Sequence, residues 1–559
     1  MLIPSIYQET AIATAVAGKS IKVEAGAGCA KSSTLRLIAA ADPTKTYGVL
    51  TFNRANAVES NEHPDKPRNI IYSTTHAIAW DWIVRGTGFQ SKLNSGYMDC
   101  KNYPVANSVF NTLVSFQGLS SVQERTQRNL LRRIVNNTVT VFCNSASLDI
   151  SAFAEEYLDT LFGPDSTGYY AYPLSDLLED VKEELIRLKR PEVFTLKNFI
   201  VNYWTELTDR RVDTLPISHD VYLKLYHMEG KSINAFPGEK RRPVGIDVLV
   251  LDEAQDTNPC VEAIFAKSQL RQKIIVGDRW QQLYAWRGAG DTMNNFKLFE
   301  RLELPESFRF TPAIADVANN ILAKVTDFRI TGKAELSSIR TCASLFRKNI
   351  SILTKLIEIA TYALEHPEKE TPKVYVEMDL KELFSMMYHI NACAFDKKPK
   401  FPNYKLGTLI NNLAELEDAA AANADIKALW KQTTKFALSA GGITKGISNI
   451  QSIIVKDKAD ADHIYSTLHK AKGLEYDCVT ISPDFVSINL SSFKDKAGNL
   501  AEGAVREAFY NKLMQIDNIC LLYVGCTRAK YKLILPEYLK AFINGTFFEL
   551  DFDELELPI

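Results

Sequence analysis

Val248-Leu249-Val250-Leu251-Asp252-Glu253-Ala254-Gln255-Asp256 is the stretch on which the fold turns. Four consecutive apolar residues leave no polar face, the pattern of a strand buried on both sides of a parallel sheet. Two carboxylates stand at its carboxyl end. There Asp252 suits a water-mediated anchor for Mg²⁺, and Glu253 suits a general base that polarises a water. A solvated acidic strand end gives the same local pattern, so the surroundings must decide.

Working outward, residues 273–276 repeat the apolar strand pattern after 247–251. Upstream, residues 20–26 read as a strand entering a small-residue loop, 32–41 as a helix, and 47–52 and 70–73 as two further strands. This strand–loop–helix–strand rhythm predicts a parallel α/β sheet. Between about 93 and 200 the pattern turns helical, including 123–136 and 174–188, which reads as an insertion into one α/β domain. A second α/β block starts near 301, with strands at 342–346, 373–376, 477–482 and 532–535. A mainly helical, Ala-rich stretch at 381–450 interrupts it. The expected division is therefore 1–92 with 201–300, an insertion at 93–200, then 301–380 with 451–546, an insertion at 381–450, and an acidic–apolar tail at 547–559.

The 559 residues are too many for one core, and 46% hydrophobic with 24% charged residues is ordinary for a globular chain. A net charge of −2 offers no global attraction for nucleic acid, so such a partner would rest on local patches and aromatic stacking. The nine cysteines form no Cys-x-x-Cys pair, which argues against metal or iron–sulfur ligation and against a disulfide framework. The first eight residues show no basic-then-apolar leader, and no run is apolar enough to span a bilayer. A cytoplasmic location, in a bacterial or phage-infected cell, is expected, with no membrane partner.

Ala25-Gly26-Ala27-Gly28-Cys29-Ala30-Lys31-Ser32-Ser33 lies between the first strand and its helix. Backbone N–H groups and a helix N-terminus there can cradle a triphosphate, with Lys31 on its β- and γ-phosphates and Ser32 in the Mg²⁺ shell. The strict pattern has Gly before the Lys. Ala30 stands there instead, and its methyl threatens a left-handed backbone angle. A small-residue strand–helix turn with a chance Lys-Ser is the alternative.

Asp252-Glu253-Ala254-Gln255-Asp256 resembles motif II of superfamily 1 helicases of the UvrD/Rep type, and the other motifs follow in order. Gln8 resembles the Q-motif glutamine that reads adenine. Thr51-Phe52-Asn53-Arg54-Ala55 resembles motif Ia, and Thr74-Thr75-His76 resembles motif Ic. Gly277-Asp278-Arg279-Trp280-Gln281-Gln282-Leu283-Tyr284-Ala285-Trp286-Arg287-Gly288-Ala289 is similar to motif III. Ser307-Phe308-Arg309 resembles motif IV, Thr467-Leu468-His469-Lys470-Ala471-Lys472-Gly473-Leu474-Glu475 motif V, and Tyr523-Val524-Gly525-Cys526-Thr527-Arg528-Ala529-Lys530 motif VI. The segment 216–224 and the compact length are most similar to the F-box-helicase-like and phage-type branch.

The resemblance implies two RecA-like parallel-sheet P-loop NTPase domains, 1A and 2A, with helical insertions 1B and a reduced 2B. It implies ATP and Mg²⁺ as cofactors and a motor moving 3′ to 5′ on single-stranded DNA, engaging single–double-strand junctions as a monomer. Arg309 and Arg528 match arginines that neutralise the γ-phosphate from a cleft between the two sheets. Gln281 and Arg287 match residues that couple that phosphate to the DNA track, and Glu475 one that supports the nucleotide. Phe52, Asn53, Thr74, His76, Tyr284, Trp286 and His469 match DNA-contacting positions. Phe308 matches an aromatic that stacks on adenine, although stacking on a DNA base stays open. Arg125, Arg128, Arg132 and Arg133 read either as a duplex-phosphate grip or as a solvated basic face. The tail reads either as a docking peptide for a protein partner or as a disordered end. An ATP-gated subunit that displaces proteins, with weak unwinding of its own, is the alternative function.

Overall fold

The computed structural model describes residues 3–94, 96, 98–113, 121–162, 190–211, 215–238, 242–283, 292–395, 410, 412–422, 424–486, 488, 493 and 501–550. Two units make up the chain, Met1–Ala25 with Ala30–Leu304, and Gly26–Cys29 with Pro305–Ile559.

The first unit is built on six strands, β1 (Ile21–Ala25), β2 (Tyr47–Leu50), β3 (Ile70–Ser73), β4 (Val248–Leu251), β5 (Gln272–Gly277) and β6 (Glu300–Leu304). They run parallel in the order β3-β2-β4-β5-β1-β6. Every residue of β2 and β4 is buried, as an apolar run between two helical layers requires. The strand β6 straddles the expected start of the second block near 301, with four of its five residues at or beyond it. Its Glu300, Arg301 and Glu303 resemble a loop in sequence. They are tolerated because β6 is an edge strand paired only to β1, where Arg301 bridges Glu24 at 2.6 Å.

Helices Ala106–Leu113, Ser121–Asn144, Ile150–Phe162, Arg190–Thr208 and His219–Met228 share one apolar core with this sheet, in which Phe110, Phe142, Tyr203 and Trp204 join Leu50, Leu249 and Leu251. Phe142 meets Trp204 edge to face at 5.1 Å between ring centres. Two buried lysines finish these helices. Lys92 Nζ donates to the Glu206, Leu207 and Asp209 carbonyls at 3.2, 2.6 and 3.1 Å, beyond which helix Arg190–Thr208 stops. Lys224 Nζ donates to Ser145 O at 2.9 Å and to Ser147 O, just past helix Ser121–Asn144. A cation placed on the carbonyl end of a helix meets both its unpaired acceptors and its dipole. The expected helix at 174–188 lies outside the described residues.

The second unit holds β7 (Cys342–Phe346), β8 (Val374–Val376), β9 (His463–Thr467), β10 (Tyr476–Ile481) and β11 (Ala529–Ile534), all parallel in the order β8-β9-β7-β10-β11. Helices Lys381–Ala394, Leu413–Ala422, Ala424–Ser439 and Ile443–Ile453 fall in or beside the Ala-rich stretch. Their Met387, Leu416, Phe436 and Ile447 pack into one core with Val374 and Tyr465 of the sheet. Among the described residues no helix is long and apolar enough to cross a membrane.

Candidate nucleotide and nucleic-acid sites

Strand β1 ends at Ala25, and helix Lys31–Ala41 begins six residues later, so the loop between them delivers Lys31 at a helix N-terminus. Ala30 stands immediately before that helix with φ 56° and ψ 36°, in the left-handed region. The geometry is therefore the one a glycine would adopt, reached with a methyl group in place. Ser32 is exposed on the first turn, and Ser33 Oγ accepts from Arg36 at 3.1 Å. Gln8 is buried. Its Oε1 accepts from Ser5 N at 3.0 Å, which closes the capping box of helix Ile6–Val16, and its Nε2 donates to Thr34 Oγ1 at 2.9 Å, which ties that helix to helix Lys31–Ala41.

Lys31 Nζ lies 3.1 Å from Glu253 Oε2. Burial pulls the Lys31 pKa down, but Glu253, Asp278 and Asp252 outweigh it and raise it, so the ammonium form persists. Asp252 directly follows β4 in a half-buried position. Burial, with the neighbouring Glu253 charge, pushes its pKa up to about 7. A carboxyl so placed is stabilised in its ionised form by a divalent cation, and Mg²⁺ typically takes one or two carboxylates plus phosphate oxygens and water. Asp252 and Ser32 thus fit Mg²⁺, although among the described residues no group of three or more His, Cys, Asp or Glu forms a metal cage. Glu253 has φ 51°, also left-handed, which turns the chain sharply at the strand end. Gln281 is buried on the short turn Arg279–Gln281 after β5, and its Nε2 donates to Asp278 Oδ2 at 2.6 Å.

The loop tip Gly26–Cys29 belongs to the second unit. There Ala27 N donates to Tyr523 Oη at 2.9 Å, and Phe308 N donates to Gly28 O at 3.1 Å. Gly28 has φ 71°, and a Cβ on it would stand 2.5 Å from Arg309 Cβ, so glycine is required there. Cys29 is buried, with its Sγ 3.8 Å from Ala27 O. Arg309 Nε donates to Glu475 Oε2 at 3.0 Å, and Lys530 reaches Glu475 Oε1 at 2.8 Å. Burial alone would raise the Glu475 pKa, but Lys530 and Arg309 prevail and lower it. Arg528 is only 1% exposed, and its guanidinium donates to Val524 O at 2.9 Å, Leu474 O at 3.3 Å and Thr527 Oγ1 at 3.3 Å. Phe308 is 51% exposed.

Of the candidate DNA contacts, Phe52 is 38% exposed just past β2. Asn53 and Thr74 each take up a helix-capping bond, Asn53 Oδ1 accepting from Asn56 N at 2.8 Å and Thr74 Oγ1 from Ala77 N at 3.1 Å. His76 Nε2 stands 3.3 Å from Asp220 Oδ1. Burial, with Arg347 nearby, pushes His469 down to about 4, which keeps it neutral. Tyr284, Trp286 and Arg287 lie outside the described residues. On helix Ser121–Asn144, Arg132 is tied to Asp99 at 2.6 Å and Arg128 to Asn111 at 2.6 Å, so neither presents a bare cation. Gln255 and Asp278, to which the sequence alone assigns no role, are both buried, Gln255 against Glu253 and the Asp278 N–H against Gln255.

Residues 6–301 match the UvrD/REP helicase N-terminal domain family. F-box DNA helicase protein 1 of Schizosaccharomyces pombe is 23% identical over 544 residues, covering 93% of this chain and 56% of that protein. F-box DNA helicase 1 of Gallus gallus is 25% identical over 548 residues, covering 94% of this chain and 48% of that protein. The chain thus spans about half the length of these curated relatives. With more than half of its residues inside the matched region, two parallel sheets and an ordered motif series, the chain belongs to the UvrD/REP helicase N-terminal domain family.

Proposed function

We propose that the protein hydrolyses ATP to move 3′ to 5′ along single-stranded DNA and to open duplex at a junction, in replication, repair or recombination. The observation that carries the reading is the Lys31–Glu253 pair at 3.1 Å next to Asp252, at the carboxyl end of a parallel sheet. Lys31 would take the β- and γ-phosphates, while Asp252 and Ser32 would hold Mg²⁺, which when bound would supply neutralisation of phosphate charge. Glu253 accepts the proton of the attacking water. The new P–O bond forms to that water's oxygen, the bond to the β-phosphate oxygen breaks, and ADP departs. Arg309 and Arg528 are the proposed charge-neutralising arginines, and Glu475 holds Arg309 in readiness. Phe308 stacks on adenine, while Phe52 and His469 are proposed to meet the strand. Helices between residues 93 and 200 and between 381 and 450 are read as the 1B and 2B insertions.

ATP turnover measured with and without single-stranded DNA tests this reading. Stimulation by DNA in the wild type and its loss in Lys31→Ala and Glu253→Gln are expected. Turnover indifferent to DNA would end the motor reading. The short helical insertion between residues 381 and 450 favours the second reading of an ATP-gated protein displacer with weak unwinding of its own. Protein displacement without unwinding of a forked duplex would select it.

A further inference from the structure

One oxygen of Glu253 has two claimants. Its Oε2 faces Lys31 Nζ at 3.1 Å and accepts a hydrogen bond from Gln255 Nε2 at 2.6 Å. Gln255 is 2% exposed, and its Oε1 accepts from the backbone N–H of Asp278 at 3.0 Å. The amide orientation is dictated chemically, because an N–H can only face the amide oxygen and a carboxylate can only face the amide nitrogen.

The slot is shaped for this side chain. Gly277 ends β5 beside it, and a Cβ there would stand 2.6 Å from Gln255 Oε1, 3.0 Å from Met293 Sδ and 3.3 Å from Ala254 N. Asp278 in turn accepts from Trp280 N at 3.1 Å and from Gln281 Nε2 at 2.6 Å. A continuous line of hydrogen bonds therefore joins Glu253, Gln255, Asp278 and Gln281 across the ends of β4 and β5.

We propose that Gln255 is a positioning residue that keeps the Glu253 carboxylate in place once Lys31 transfers to a phosphate, and that it links Glu253 to the Asp278–Gln281 turn. This rests on the reading of Glu253 as the water-activating base. Lys31 is drawn to the phosphates by charge, whereas a neutral amide fixed at its other end by a backbone N–H is not. Without it, Glu253 would stand beside Asp252 on a left-handed residue with one anchor fewer.

The test measures kcat and KM for DNA-stimulated ATP hydrolysis, together with equilibrium binding of a fluorescent ATP analogue. The variants are Gln255→Leu, Gln255→Glu, Gly277→Ala and Glu253→Gln. Gln255→Glu keeps the shape and the acceptor for Asp278 N but loses the donor to Glu253. Gly277→Ala keeps both partners and pushes a methyl against Gln255 Oε1. The two Gln255 variants and Gly277→Ala are expected to lower kcat roughly 10²-fold, the effect of about 1 Å of misplacement, with KM and analogue affinity within about twofold. Wild-type kcat in Gln255→Glu, or analogue affinity falling in step with kcat, would overturn the proposal, and Gln255→Glu decides if the other two misfold. Full activity in Glu253→Gln would instead sink the base assignment beneath it.

Discussion

Replacing Ala30 by Gly isolates a single methyl group at the entrance to the phosphate-loop helix. Ala30 occupies φ 56° and ψ 36°, where an L-residue is destabilised by about 1–2 kcal/mol. Glycine removes that strain but brings a more flexible unfolded chain, which offsets about 0.4–1 kcal/mol. About 1 kcal/mol of local stabilisation remains, or roughly a fivefold slowing of amide exchange in helix Lys31–Ala41. A loop that keeps this left-handed geometry when nucleotide binds carries the same strain in both states, which then cancels from the binding equilibrium. Ala30→Gly should therefore leave kcat/KM for ATP within about twofold. Ala30→Val should impair it, since a β-branched residue at positive φ is a severe outlier. Steady-state ATPase kinetics and hydrogen exchange on the same preparations make the measurement. A tenfold rise in kcat/KM for Ala30→Gly, equivalent to about 1.4 kcal/mol, would refute the reasoning by showing that the methyl obstructs the nucleotide itself.

Burial pushes Lys224 down to about 8, so between there and the ordinary lysine value near 10.4 the unfolded chain binds a proton that the folded one does not. Stability should rise with pH across that window in the wild type and stay flatter in Lys224→Met, read by denaturation midpoints at both ends; equal slopes would contradict this origin. Arg132→Ala should destabilise the first unit by about 1–3 kcal/mol through loss of the Asp99 bonds, with an unchanged salt dependence of DNA binding. A salt slope reduced by about one would make Arg132 a phosphate contact instead. Phe308→Ala should raise KM for ATP about tenfold with kcat little changed, as expected for the loss of one base stack. A fall in DNA affinity with unaltered KM would place Phe308 on the strand.

Much of the sheet architecture was legible because buried parallel strands leave unmixed apolar runs. Residues 248–251, and the Ile-Ile-Val that follows Lys273, are such runs, and both lie inside strands of the first sheet. Edge strand β6 escaped because an unpaired edge accepts charge on both faces, which erases the periodic signal. Helix Ser121–Asn144 runs past residue 136 because Val139, Phe142 and Cys143 continue its buried face through a stretch rich in Asn and Thr. Lys92 and Lys224 could not be distinguished in sequence from surface lysines, since what buries them is the approach of carbonyls far along the chain.

The candidate site divides along the same line. Lys31 and Asp252 are readable because phosphate and metal chemistry demand particular residues in a short contiguous run, whereas Gln255 answers to a demand that crosses strands. Its oxygen needs the Asp278 N–H from β5, and the space it fills exists only because Gly277 carries no side chain. In sequence Gly277 is an ordinary strand end, 22 residues from Gln255. Once β4 and β5 lie side by side, the glycine and the glutamine become one constraint, and altering either should move the same carboxylate.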